Sequence, residues 1–253
     1  MVACALAAVS GVLLCLGGCN QGPEVVIYSN ADEESRLAMQ DALDRAGFSG
    51  QYIFSSFSTS ELGGKIMAEG GNIEADVITA STYYLESAQQ AHRMFAPLSF
   101  TFHALEKTPG FCAPLTAQEG AIFINTRVLQ ENGLPRPASL KDLASPAYKG
   151  FISIPNIRSS STAWLMVQAL VSAYGEQEAG HLLRGIAENA GPHLENSGSG
   201  PLKKVRAGEV AIAFGLRHQA VADRKAGLPI DYVDPAEGNF MLTESVCVTD
   251  KGA

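Results

Sequence analysis

Apolar runs alternate with amphipathic stretches from residue 24 onward. The run at 24–29 (EVVIYS) predicts a strand, and the apolar positions within 39–46 follow the i, i+3, i+4, i+7 spacing of one helix face. Asn30 precedes Glu33 by three residues, the spacing of a capping box, and this predicts the helix start. Gly47 is expected to end that helix.

The same alternation of strands and helices continues beyond this helix. A second series of strands and helices begins after residue 110. Further strands are predicted at 52–54, 75–79, 120–125, 151–154, 210–214 and 230–233. Helices are predicted from the Ser58–Glu61 capping spacing, from 159–162 to Gly175, over 176–190, and from 197–201, where Pro201 suits a first turn. Strand–helix alternation indicates an α/β fold with doubly wound, mostly parallel sheets, and its restart indicates two lobes.

The first eighteen residues are uncharged and read as the apolar part of a secretory signal peptide. They are too short to span a bilayer, which takes about 20 residues. Leu16-Gly17-Gly18-Cys19 resembles a bacterial lipobox, so Cys19 is the expected lipidation site, with 19–23 a linker. The alternative is an ordinary signal peptide with a chance Cys. With the lipid, the protein lies in the periplasm or at the cell surface, anchored to the membrane.

Composition narrows the function further. Apolar residues make up 46% of the chain, which indicates a globular protein. The net charge of −8 argues against a nucleic-acid partner. If Cys19 carries lipid, Cys112 and Cys247 remain in an oxidising compartment, where they either pair or act as two small buried hydrophobes. No C-x-x-C spacing is present, so neither a metal nor a redox site is predicted.

Hydroxyl and amide side chains recur where the predicted helices begin. In a doubly wound sheet these strand–helix junctions share the edge where ligands bind. Helix N-termini offer free N–H groups and partial positive charge, so several together form an anion site without Lys or Arg. The alternative is that each residue only caps its helix. The candidates are Ser29, Asn30, Thr59, Ser60, Ser81, Thr82, Ser160, Ser161, Thr162, Ser197, Gly198 and Ser199.

Catalytic motifs are weak throughout. The chain has no Gly-x-Ser-x-Gly elbow, no phosphate-binding Walker loop and no dinucleotide fingerprint, so no cofactor is predicted. Among the five His residues only His218, beside Arg217, is expected near a cleft. An enzyme that used the Ser-rich helix starts would need a general base beside them, and no good candidate is present.

Several segments together carry a family resemblance. VVIYSNADEES, STSELGGKIMAEG, EADVITAS, GAIFINTRVL, SPAYKG, RSSSTAW and PAEG, with the lipobox, resemble type II periplasmic solute-binding proteins of ABC importers. The greatest similarity is to the branch for ferric iron and 2-aminoethylphosphonate. The resemblance covers residues 19–250 and implies two lobes that close over a small ligand and deliver it to a permease.

The resemblance also implies lobe boundaries. Lobe one takes 24–114 and the return of 235–253, and lobe two takes 115–234. The crossing strands fall near Leu115–Gln118 and Pro235–Glu244, and the strands of Cys112 and Cys247 pair antiparallel. Family members continue beyond the last crossing strand, so a C-terminally truncated sequence is expected.

The family's ligand contacts fall on the hydroxyl positions named above. The stretch 235–238 resembles the Pro-x-Glu-Gly of polyamine-binding relatives, in which a later acidic residue, here Glu244, holds an ammonium group. Iron-binding members carry two adjacent tyrosines where this chain has Ala213-Phe214-Gly215. We therefore expect a monomeric binding protein for an anionic or zwitterionic ligand such as a phosphonate. A ferric or metal–anion complex is the alternative ligand, and a sensor lobe is an alternative role.

Cys19→Ala is expected to abolish acyl labelling, because only that residue follows the small-residue sequence Leu16-Gly17-Gly18. The measurement is incorporation of a labelled fatty acid into the expressed full-length chain. Lipid label that persists on the variant would show that the anchor lies elsewhere.

Overall fold

The structure is a computed structural model, and it describes residues 24–105 and 107–252. The predicted signal peptide, the lipidation of Cys19 and the linker 19–23 lie outside the described residues. Within these ranges no helix combines the length and the apolar character that a bilayer crossing requires.

The first part of the described chain alternates strand and helix as predicted. Its elements are β1 (Val25–Ser29), α1 (Glu33–Leu43), β2 (Tyr52–Ser56), α2 (Thr59–Glu69), β3 (Val77–Ser81) and α3 (Thr82–His92). β1 pairs in parallel with β2 and with β3, which places the carboxyl ends of all three strands at one edge. Helices α1, α2 and α3 all begin at that edge.

The second part begins with a long strand and repeats the alternation. Its elements are β4 (Cys112–Asn125), α4 (Thr126–Glu131), β5 (Ile152–Pro155), α5 (Ser161–Ala190), β6 (Leu194–Glu195), α6 (Gly200–Ala207), β7 (Ile212–Leu216), α7 (Arg217–Lys225), β8 (Ile230–Val233) and β9 (Met241–Val248). β5 pairs in parallel with β6 and β7, so this part has a parallel unit of its own.

β4 joins the two units, and the chain returns from the second unit to the first through β9. Residues 112–119 of β4 pair with β9, and residues 120–125 pair with β7 and β8, all antiparallel. β9 also pairs with β3, which gives the strand order β2-β1-β3-β9-β4-β7-β5-β6. This is the two-lobed α/β fold with two connecting strands that the sequence predicts. Of the second expected crossing, residues 235–240 form no strand, and the exact lobe limits remain a prediction.

Each lobe has its own hydrophobic core. The first is built around residues such as Ile66, Ile78 and Leu85. In the second lobe, neighbouring residues of β4 point to opposite faces of the sheet. Ile122 packs against the α5 side, whereas Phe123 packs in a separate cluster with the α6 side. The second sheet is therefore covered on both faces, as a doubly wound sheet requires.

Local sequence signals set most helix ends. Ser58 and Glu61 form the predicted capping box of α2. Gly175 adopts a positive φ of 77° inside α5, so the two helices predicted on either side of it meet there at a kink. The predicted start of α1 at Asn30 is wrong. Asp32 is its N-cap, since its carboxylate accepts the N–H of Ser35 at 2.8 Å.

Cys112 and Cys247 are joined in a disulfide between directly paired positions of β4 and β9. Their Cα atoms are 4.7 Å apart, and both residues are fully buried in the core of the first lobe. The bond links positions 135 residues apart in sequence. It therefore ties the returning strand β9 to the start of the connecting strand β4.

Reducing this bond is expected to lower the free energy of unfolding by about 2–4 kcal/mol, because it restricts the unfolded chain. Urea unfolding with and without dithiothreitol measures the effect. A Cys112→Ala/Cys247→Ala double variant serves as the control, since its midpoint should not respond to the reductant. Alkylation of both thiols in unreduced, unfolded protein would contradict the bond.

Candidate functional site

A cavity of about 880 Å³ lies between the two lobes. The starts of α1 and α2 form one wall, the starts of α5 and α6 form the opposite wall, and the connecting strands lie at its base. This volume falls within the range of small-molecule sites, roughly 300–1,000 Å³. We take this cleft as the candidate site.

Most of the sequence-predicted residues line this cleft. The nine that do so are Asn30, Thr59, Ser160, Ser161, Thr162, Ser197, Gly198, Ser199 and Glu244. Four others lie outside its lining, namely Ser29, Ser60, Ser81 and Thr82. The structure thus brings together groups from both lobes, although it does not bring every helix start to the cleft.

The four outlying residues serve the packing of their own lobe or face solvent. Ser29 is buried and accepts hydrogen bonds from Thr79 Oγ1 at 2.6 Å and from the N–H of Ala31 at 3.0 Å. Thr82 Oγ1 donates to the carbonyl of Thr243 at 3.0 Å. Ser81 is buried beside β9, whereas Ser60 is exposed. The sequence predicts Ser60 in the ligand site, but in the structure it lies outside the cleft.

The start of α5 offers hydrogen-bond donors to the cleft. Its N-cap residue Ser160 makes no side-chain capping bond, whereas α1 and α2 are capped by Asp32 and Ser58. Ser159 Oγ is buried without a hydrogen-bond partner within the described structure. Because the first N–H groups of a helix carry partial positive charge, this end can bind an anion.

Gly198 fits the loop before α6 against the start of α5. A Cβ atom on Gly198 would lie 2.2 Å from Thr162 Oγ1 and 3.3 Å from Ser160 Oγ. Any larger residue would push the loop away from α5. The glycine noted in the sequence therefore allows the 197–199 segment and the hydroxyls of α5 to line one surface.

Polar side chains of the two lobes meet in the cleft. Thr59 Oγ1 lies 3.4 Å from Ser161 Oγ, and these residues belong to opposite lobes. One orientation of the Asn30 side-chain amide gives both of its polar atoms a partner: its N–H donates to Glu244 Oε2 at 3.3 Å, and its oxygen accepts from Thr59 Oγ1 at 3.0 Å. A polar chain thus runs from Glu244 to the start of α5.

The rim is closed by charges between α1 and the second lobe. Glu34 accepts hydrogen bonds from Arg206 at 3.2 Å and from Gln219 at 2.9 Å, and Glu33 lies 3.6 Å from Lys203. Burial alone would raise the pKa of Glu34, but the bonds from Gln219 and Arg206 outweigh it and lower the pKa. Contacts at this exposed rim add modestly to closure.

Two carboxylates face the interior of the cleft. Glu244 lies on β9, paired with Ser81 of β3 and Thr116 of β4. Burial, assisted by the nearby charge of Asp32, raises the pKa of Glu244 to about 7. Asp32 also lines the cleft, and the sequence reasoning missed it. The available signal was that Asp is a strong N-cap residue three positions before Ser35.

Metal binding finds little support in the geometry. His218, which the sequence placed near a cleft, has its Nε2 3.9 Å from Asp32 Oδ2. Over residues 24–105 and 107–252, no group of three or more His, Cys, Asp or Glu side chains is arranged to hold a metal ion.

Comparison with known proteins places the chain in a family. The model of the bacterial extracellular solute-binding proteins matches residues 78–252, and the chain belongs to that family. A Haemophilus influenzae (strain ATCC 51907 / DSM 11121 / KW20 / Rd) protein, named only as uncharacterized, is 27% identical over 184 residues. The match covers 69% of this chain and 53% of that protein, so the chain spans about half the length of this curated relative.

Two solved structures share the fold. The periplasmic binding protein AfuA from Actinobacillus pleuropneumoniae, with exogenous fructose-6-phosphate bound, has a TM-score of 0.79 at 21% identity, over 91% of this chain and 75% of that one. Iron-bound HitA from Pseudomonas aeruginosa has a TM-score of 0.68 at 20% identity, over 91% and 76%. At these identities the likeness establishes the periplasmic-binding-protein fold alone.

The raised pKa of Glu244 predicts a pH-dependent stability. The folded protein holds this proton more tightly than the unfolded chain, whose Glu pKa is near 4.5. The contribution of Glu244 to stability is therefore fully present below that value and is lost as the pH rises through about 7. The loss of this contribution is expected to reach at most about 3–4 kcal/mol, at roughly 1.4 kcal/mol per pKa unit.

Urea unfolding of the ligand-free protein across this pH range, compared with Glu244→Gln, isolates the contribution. The variant keeps the side-chain shape without the charge, so its stability should decline less. Parallel curves for the two proteins would show that Glu244 titrates as an ordinary carboxylate.

Proposed function

We propose that this extracellular solute-binding protein is the ligand-capturing component of an ABC importer for a small anionic or zwitterionic ligand. A phosphonate such as 2-aminoethylphosphonate fits best. The observation that carries the proposal is the cleft itself, which holds the α5 start with its hydroxyls and a carboxylate on β9. One ligand with charges of both signs could contact both.

The anionic head of the ligand binds at the start of α5. Ser160, Ser161 and Thr162 supply hydroxyls there, next to helical N–H groups and the unpartnered Ser159 Oγ. Hydrogen bonds to a charged acceptor are about twice as strong as neutral ones. Such a site holds a phosphonate without a buried Lys or Arg, whose desolvation would be costly.

The charges that line the cleft favour a ligand that also carries a cation. Asp32, Glu33, Glu195 and Glu244 are acidic, whereas only two lining residues are basic, Arg36 and Lys203. Lys203 lies close to Glu33 in an ion pair, which reduces its effect on an anion. A bare dianion would meet this acidic excess, but an aminophosphonate would place its ammonium group beside Glu244.

A ferric or metal–anion complex is the alternative ligand. HitA, solved with iron, has the same fold, but the part of this chain that the structure describes offers no three-residue metal cluster. AfuA, which has the same fold, was solved with a sugar phosphate bound, and this supports a ligand with a phosphate-like head. We therefore place the phosphonate first.

Members of this family bind their solutes outside the cytoplasm. The proposal adds a membrane anchor and a partner protein. Cys19 holds the protein to the membrane, a permease receives the ligand, and the protein acts as a monomer. It performs binding rather than catalysis, in keeping with the solute-binding family to which it belongs. An enzyme would need a general base beside the serines of α5, and a sensor lobe would need a receptor on which to act. Ligand capture for an importer requires neither.

Calorimetric titration of the purified wild type with 2-aminoethylphosphonate, ethylphosphonate, phosphate and ferric citrate tests the proposal. Thr162→Ala should weaken both phosphonates by about 1 kcal/mol or more, or roughly fivefold, because a hydrogen bond is lost. Glu244→Gln should weaken only the amine-bearing ligand.

Ser60→Ala provides the matched control. It removes a hydroxyl at another helix start that is exposed and outside the cleft, so affinities should stay at the wild-type values. Failure of every phosphonate to bind would refute the proposal. Tight binding of ferric citrate alone would establish the alternative.

A further inference from the structure

Asp32 carries a buried carboxylate oxygen for which the described structure provides no partner. Its side chain is only 7% exposed and lines the cleft. Oδ1 caps α1 by accepting the N–H of Ser35, whereas Oδ2 is buried with no hydrogen bond. A buried, unpaired carboxylate oxygen is destabilising, and such a group calls for a functional explanation.

The basic side chains near Asp32 do not satisfy this oxygen. His218 Nε2 lies 3.9 Å away, beyond hydrogen-bond distance. Arg36, on the same helix, donates to Gln40, and Lys203 lies near Glu33. Asp32 therefore faces the cleft as an acceptor that a bound molecule can use.

Glu244 is the second acceptor in the same region. It lines the same cleft as Asp32, and the negative charge of Asp32 helps to raise its pKa. The side-chain amide of Asn30 can donate to Glu244 Oε2. The other carboxylate oxygen of Glu244 can then accept from a ligand. Two carboxylates that face one cavity lower their mutual repulsion when a cation lies between them.

We infer that Asp32 and Glu244 form a two-carboxylate subsite that binds a primary ammonium group of the ligand. A primary ammonium has three N–H donors, which can serve Asp32 Oδ2 and Glu244 together. A quaternary ammonium has the same charge but no N–H, so it would leave Oδ2 unsatisfied. The inference rests on the proposed function, and it makes the amine, and its N–H groups, a determinant of specificity.

Asp32→Asn is the decisive substitution, because Asn caps a helix about as well as Asp and α1 should remain folded. Calorimetry with 2-aminoethylphosphonate, its N-trimethyl analogue and ethylphosphonate measures the effect. For the wild type, we expect the primary amine to bind at least tenfold more tightly than the other two ligands. Asp32→Asn should remove most of that preference and leave ethylphosphonate binding unchanged or stronger.

Asp41→Asn is the matched control. It removes one negative charge from the same helix at an exposed position outside the cleft, so it should leave all three affinities unchanged. Adding Glu244→Gln to Asp32→Asn should weaken 2-aminoethylphosphonate by less than the product of the two single effects, because both residues bind one group.

The outcomes separate this inference from the proposed function. If the wild type binds the phosphonates but Asp32→Asn binds 2-aminoethylphosphonate as well as the wild type does, the subsite is refuted and phosphonate capture stands. If no phosphonate binds, the proposed ligand is wrong, and titration with spermidine decides the subsite. Spermidine binding that Asp32→Asn weakens would uphold it, and absence of such binding would overturn it.

Discussion

One strand, β4, belongs to both lobes, and the rest of the architecture depends on its pairing. Its first half is hydrogen-bonded to β9 and its second half to β7 and β8. This pairing runs along β4 with one irregularity between Pro114 and Thr116, so β4 ties the two sheets to each other. The cleft opens where β4 passes from one set of partners to the other, and Thr116 and Gln118 of β4 line it there.

The two sides of the cleft differ in chemistry. The second lobe contributes the start of α5, whose N-cap residue makes no side-chain capping bond, and the packed 197–199 loop, and both offer donors. The first lobe and β9 contribute acceptors, Asp32 and Glu244. A ligand that contacts both sides favours the closed arrangement, because a ligand shifts a conformational equilibrium only through its differential affinity. The ion pairs of Glu33 and Glu34 at the rim favour the same arrangement.

The sequence predicts the elements well because their signals are local. The Ser58–Glu61 box and the glycine at 175 mark helix ends through short-range geometry that any context preserves. The facing of individual hydroxyls is another matter. Thr59 and Ser60 are adjacent at one helix start, yet one lines the cleft and the other is exposed, because their direction depends on how α2 rotates against its sheet.

Asp32 shows why part of the site escapes sequence reasoning. Asn30 and Asp32 are both good capping residues, and spacing to Glu33 favours Asn30. In the folded protein the side-chain amide of Asn30 contacts Thr59 and Glu244. These residues lie 29 and 214 positions away from it in the chain. Asp32 then caps α1 and turns its second oxygen inward. A long-range contact thus decides a local cap, which local spacing cannot reveal.

The buried carboxylates link stability to selectivity. Without a ligand, desolvation and the charge of Asp32 favour the protonated form of Glu244, so the site avoids holding two bare charges. In the proposed subsite, a bound ammonium reverses that preference because it stabilises both carboxylates in their charged forms. A neutral or purely anionic ligand gives no such compensation. Under the proposed function, the cleft discriminates because Asp32 Oδ2, which has no partner among the described residues, gains one when a cation binds, and the start of α5 selects among cations those that also carry an anion.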